Sequence, residues 1–173
     1  MQYESEKIKL IPYQEKDQDR LVEIVSDSSQ GFLVSETLVK ALTKKLTEVD
    51  EFHRVWMIES EDKFIGTIIL QKINYEHKSA QLVITCDETD FCKDTELFKE
   101  VFDQVSEYVF DELDLLRLQV EVLENNLKLK KAYKSVGFEE EGLLRSKYEI
   151  KEKRYDVFVM SMLRIEWARG RTL

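Results

Sequence analysis

The stretch Asn126-Leu-Lys-Leu-Lys-Lys-Ala-Tyr133-Lys-Ser-Val-Gly137-Phe138 decides the fold. Leu129, Tyr133 and Val136 share one helical face, which predicts a short helix over about 127–135. Asn126 stands where an N-cap side chain accepts from the free amides of the first turn. Gly137 stands at the C′ position, where the chain leaves a helix with positive φ, and Phe138 anchors the exit in the core.

On the N-terminal side of this helix, Leu116-Arg-Leu-Gln-Val-Glu-Val122 alternates apolar and polar residues and is predicted as a strand. Before it, Leu97, Phe98, Val101, Phe102, Val105, Val109 and Leu113 recur at steps of three and four, the pattern of a long amphipathic helix from Asp94 to about Glu112. On the C-terminal side, strands over roughly 143–150 and 156–164 flank the charged turn Lys151-Glu-Lys-Arg154. Nearer the N-terminus, Ile8-Lys-Leu-Ile11 reads as a strand stopped by Pro12. Helices follow over about 17–26 and 35–47, then strands at 55–58, 64–70 and 80–86. The order is β-αα-βββ-α-β-α-ββ. It predicts an α/β (α+β) domain with a mixed, mostly antiparallel central sheet and helices on both faces.

The 173 residues suit one domain, and the single proline and five glycines form no linker that would divide it. Hydrophobic residues make up 43%, enough for a sizeable core. The formal charge of -9 argues against a nucleic-acid backbone as partner. Two cysteines, Cys86 and Cys92, and two isolated histidines give neither a disulfide framework nor a zinc site. The charged opening Met1–Lys7 lacks the apolar run of a signal peptide, and no apolar stretch is long enough to cross a membrane. A cytoplasmic location with no membrane partner is expected.

This element order, with the residues at its joints, resembles the GNAT acyl-CoA N-acyltransferases, and most of all the branch of the ribosomal-protein N-terminal acetyltransferases. The resemblance spans nearly the whole chain. It rests on Asn126, Tyr133 and Gly137-Phe138 with Glu141-Gly142 and Arg145 after them, and on Asp156, Glu166-Trp167, Gly66 and the opening Ile8–Pro12. It implies transfer of an acetyl group from acetyl-CoA to an amine of a small molecule or a protein N-terminus, without a metal. A homodimer is left open.

The resemblance also assigns residues. Tyr133 would protonate the departing CoA thiolate; a phenol, with an ordinary pKa about 10, suits that task. A purely packing role for Tyr133 stands beside this. Parting strands at 84–87 and 118–122 would cradle the pantetheine, with Ile84 and Cys86 among its neighbours and Asn126 touching the arm. Lys93 and Thr95 would stand at the pyrophosphate. Gln81 occupies the place of a common glutamate base, and a neutral amide cannot accept that proton. Glu121 is the candidate substitute if it faces the cleft, with a solvated or ion-paired role as its alternative. Lys128, Lys130, Lys131 and Lys134 read as a solvated helix face, and Arg169-Gly-Arg171 as a frayed tail.

One departure concerns the turn that opens the long helix, which in the family is rich in glycine and holds the pyrophosphate. Here Asp90-Phe-Cys-Lys-Asp94-Thr-Glu96-Leu-Phe98 has no glycine, and Asp94 and Glu96 bring negative charge to the helix start. Acidic residues are ordinary caps there, yet they oppose a phosphate. A second expectation follows from this degenerate loop: a non-catalytic binding or interaction module that has lost CoA. An acidic cleft at Asp87, Glu88 and Asp90 would instead draw a cationic amine.

Overall fold

The computed structural model describes residues 3–4, 7–20, 52–61, 63–86, 94–150 and 152–170. Its centre is an eight-stranded sheet in the order β1-β2-β3-β4-β5-β6-β8-β7. The strands are β1 (Tyr3–Glu4), β2 (Lys9–Pro12), β3 (Arg54–Ser60), β4 (Lys63–Asn74), β5 (Ser79–Cys86), β6 (Arg117–Leu123), β7 (Glu139–Ile150) and β8 (Lys153–Leu163). Among the described strands only β5 and β6 run parallel; every other neighbouring pair is antiparallel. The mixed, mostly antiparallel sheet expected from the sequence is therefore present. The helices expected over 17–47 lie outside the described residues, apart from a first turn after the short 3-10 segment Glu15–Asp17.

Helix α1 (Thr95–Glu107) follows β5, α2 (Leu127–Ser135) follows β6, and α3 (Arg164–Gly170) ends the described chain. The apolar stripe of α1, Phe98, Val101, Phe102 and Val105, packs with Leu129 and Tyr133 of α2 on one sheet face. That face is built from alternate residues: Leu10, Trp56, Ile58, Ile68, Leu70, Leu82, Ile84, Leu118, Val120, Val122, Met160 and Met162. Each such side chain contributes roughly 1.5–3 kcal/mol when fully buried.

The structure changes three sequence expectations. The long helix does not stay α-helical to Glu112; Tyr108–Glu112 widens into a π turn, with the Leu113 amide bonded to the Tyr108 carbonyl at 3.0 Å. The wider turn keeps Tyr108, Val109 and Phe110 all facing inward, and the Tyr108 ring meets Trp56 edge-on at 5.2 Å. Strand β2 begins at Lys9 and includes Pro12 as its last residue, instead of ending at Ile11. Arg169 and Gly170 belong to α3 instead of a frayed tail. There Glu166 accepts from the Leu163 amide at 2.9 Å, and Trp167 packs on Phe110.

The deciding helix forms at the expected residues. Asn126 accepts from the Leu129 amide at 3.1 Å, capping the start. At the end, the Gly137 amide bonds the Lys134 carbonyl and the Phe138 amide bonds the Tyr133 carbonyl, the paired exit of a Schellman motif. Gly137 takes φ +101°, which a β-carbon disfavours.

Candidate active site

The parallel pair β5–β6 is short. Ser79 faces Arg117, Ala80 faces Leu118, Gln81 faces Gln119 and Leu82 faces Val120; there the pairing stops. Beyond it β5 stays on β4 as far as the Gly66–Cys86 pair, and β6 stays on β8 as far as Leu123–Val157. The two strands therefore part, each held by its outer neighbour, and leave backbone donors and acceptors facing a gap. An extended, amide-bearing molecule satisfies such groups as a missing strand would. The parting begins at Val83 and Glu121. Leu118 and Val120 are still paired, so the stretch expected to part at 118–122 opens only in its last residues.

The structure distributes the other expected site residues as follows. Ile84 is buried in the core on the helix side of the sheet. Cys86 ends β5, Thr95 is the exposed first residue of α1, and Lys93 lies outside the described residues, as do Asp87, Glu88 and Asp90. Asn126 acts as the helix cap described above. Tyr133 is 1% exposed and ringed by Phe98, Phe102 and Phe138, with centroids 5.7, 5.3 and 5.2 Å away. Its position is set by aromatic packing between α1 and α2.

At the start of α1 the Asp94 carboxylate accepts from the amides of Glu96 and Leu97, each at 3.0 Å. Glu96 in turn meets Lys7 at 3.2 Å. Two of the amides that a phosphate needs at a helix N-terminus are thus bonded by the protein's own acid.

The opposite face of the sheet carries polar groups among apolar residues such as Ile69, Val83 and Val159. Gln71 donates to Gln81 at 3.2 Å, and the hydroxyls of Thr67 and Thr85 are hydrogen-bonded to each other. Arg117 grips Glu141 through both guanidinium arms, at 2.6 and 2.5 Å, while Ser161 donates to the same carboxylate at 2.7 Å. The Arg117 bonds, against the opposing effect of burial, hold the Glu141 carboxyl down at about 2.

Glu121 projects from β6 on this face at the start of the gap. Its side chain is 4% exposed. One oxygen is 2.5 Å from Lys147 Nζ and the other accepts from the Tyr148 hydroxyl at 2.7 Å. Burial opposes ionisation, but the Lys147 and Tyr148 bonds outweigh it and lower the carboxyl pKa. The same environment raises the Tyr148 phenol, first through burial and then through Glu121. A carboxylate with both oxygens engaged is a weak proton acceptor, so the ion-paired alternative describes Glu121 in this structure. Lys130 also departs from the expected solvated face: its ammonium lies 3.2 Å from the Phe158 ring centroid and 2.9 Å from Glu140, which Lys134 also reaches. Sequence reading named neither Lys147 nor Tyr148, since nothing in their spacing marks the bulge that presents them.

Comparison with known proteins places this geometry. Residues 10–159 match the model of the acetyltransferase (GNAT) domain. The N-acetyltransferase p20 of Bacillus licheniformis is 28% identical over 112 residues, 65% of this chain. That match spans 62% of p20, less than two thirds of its length. A spermidine N-acetyltransferase from Vibrio cholerae, solved with CoA and spermine, superposes with a TM-score of 0.81 at 22% identity, over 95% of this chain and 99% of that one. A chimera of the Vibrio cholerae enzyme SpeG with hSSAT gives 0.79 at 21% identity, over 94% and 99%. At such identities the structures speak for the fold, and the family model speaks for descent: the chain belongs to the GNAT acetyltransferase family.

Proposed function

We propose that the protein transfers the acetyl group of acetyl-CoA to an amine. The observation that carries this reading is the parting of β5 and β6 after Leu82–Val120 in a member of this family. In the reaction the amine nitrogen attacks the thioester carbonyl, a C–N bond forms, the C–S bond breaks, and the thiolate leaves. Backbone amides freed by the parting polarise the carbonyl oxygen. Tyr133 gives its phenolic proton to the thiolate, and the proton that the amine loses goes to solvent, from which the phenolate is protonated again. Ile84, Cys86 and Asn126 are assigned to the pantetheine, and Thr95, with Lys93 from outside the described residues, to the phosphates. Two acceptor classes follow from the likenesses: polyamines, from the Vibrio cholerae enzyme, and protein N-termini, from the motif pattern.

Thermal unfolding with millimolar acetyl-CoA tests the donor. At about 100 times Kd, binding adds about 2.7 kcal/mol, a rise of several degrees for a domain of this size. Spermidine and short peptides with free N-termini then test the acceptor, with release of free thiol as the readout.

The Asp94 cap favours a second reading, a non-catalytic module that no longer binds CoA. It predicts no shift with acetyl-CoA and no thiol release with any amine.

A further inference from the structure

In β7 and β8, Leu144 pairs with Val157 and the next pair is Tyr148 with Tyr155. Arg145, Ser146 and Lys147 thus stand opposite Asp156 alone, a wide bulge in which Ser146 takes φ +49°. Asp156 fixes the bulge by accepting from the Ser146 amide at 2.7 Å.

The bulge redirects the hairpin. Glu121 pairs with Val159 on β8, and the β7 residue in that row is Gly142. Tyr148 lies six residues farther along β7, yet its hydroxyl is 2.7 Å from Glu121. The distal hairpin therefore folds back across β6, over the face opposite α1 and α2, and lands where the parallel strands begin to part. Bulges commonly re-aim side chains beside active sites.

We infer that Glu121, Lys147 and Tyr148 form a latch that holds the distal β7–β8 hairpin as a wall of the acceptor side of the gap. This rests on the acetyltransferase reading: a donor between α1, α2 and the parted strands leaves the opposite face for the amine. Glu121 is then a positioning residue. Its buried charge is matched by Lys147, and removing one partner strands the other.

The test compares wild type with Tyr148→Phe, Lys147→Met and Glu121→Gln, of which Tyr148→Phe removes a single hydroxyl and keeps the fold. Two quantities are read: acetyl transfer to an amine accepted by wild type, and amide hydrogen exchange over 147–155. The latch predicts faster exchange there, a KM for the amine raised about tenfold, and a KM for acetyl-CoA and kcat nearly unchanged. Glu121→Asp, which keeps the charge, restores part of the amine KM. Unchanged exchange in all three variants overturns the latch. A collapse of kcat in Glu121→Gln with the amine KM intact overturns the positioning role and makes Glu121 the base. A wild type that neither binds acetyl-CoA nor releases thiol removes the acceptor wall along with the acetyltransferase reading, while the exchange rates still decide the latch.

Discussion

Tyr133 meets Phe102 edge-on, with ring centroids 5.3 Å apart and planes at 89°. The contact ties α2 to α1 and sets where the phenol lies, so shape and chemistry at Tyr133 can be separated by substitution. Tyr133→Phe keeps the ring and its packing. The expected outcome is a melting temperature within a few degrees of wild type and a large fall in kcat. Tyr133→Ala empties the site and costs about 3–5 kcal/mol, as for other large aromatic truncations. An active Tyr133→Phe enzyme would remove this residue as the acid.

Asp94 both caps α1 and competes with a phosphate for its amides. Asp94→Ala is expected to cost about 1 kcal/mol, the usual loss for an N-cap, or about 2–4 °C. It is also expected to tighten acetyl-CoA binding, because two amides are freed and a negative charge is gone. Calorimetric titration of both proteins checks this; equal or weaker binding in the variant places the phosphates elsewhere.

Gly137 carries φ +101°, and a β-carbon there would lie 3.4 Å from Met162 Cε. The space is tight but tolerable, so the backbone decides the outcome. Gly137→Ala is expected to cost about 1–2 kcal/mol, measured by urea unfolding with an unchanged slope.

Glu141 gives a pH signature. Its folded pKa, about 2, lies below the ordinary glutamate value of about 4.3. A depressed carboxyl stabilises the fold fully above its unfolded pKa, and the contribution fades as pH falls through the folded value. The melting-temperature advantage of wild type over Glu141→Gln is therefore expected to hold from pH 7 to 5, then shrink and vanish near pH 2. The group is partly solvated, so the advantage is modest. A difference independent of pH would mean that Arg117 contributes packing rather than charge.

The fold was legible because its signals are local. Phe98, Val101, Phe102 and Val105 show their helical period in the sequence, and Asn126 and Gly137 mark both ends of α2. The parting of β5 and β6 was anticipated, but its starting point was not, since it depends on which outer strand holds each residue. The Glu121 environment stayed hidden for a related reason. Lys147 and Tyr148 reach it only through a three-residue bulge anchored by Asp156, a hydrogen bond across the hairpin with no sequence period. The π turn at Tyr108–Glu112 was equally invisible, because an extra residue in one turn leaves the apolar spacing almost intact.

β7 is the outer strand at one edge of the sheet, opposite the edge at β1, and its irregularities have a consequence for behaviour at high concentration. Breaks in register fall between Glu140 and Gly142 and between Leu144 and Tyr148. They divide β7 into the even runs Glu139–Glu140, 142–144 and 148–150, and the two leucines of the middle run are 44% and 42% exposed. Such an apolar edge invites another chain to add on. The even run is too short to template a foreign strand, and Glu139–Glu141 on one side and Arg145 and Lys147 on the other act as charged gatekeepers. Straightening the bulge by deleting Arg145 and Ser146, which would leave Lys147 alone opposite Asp156, would lengthen that template, and the protein would be expected to aggregate as concentration rises.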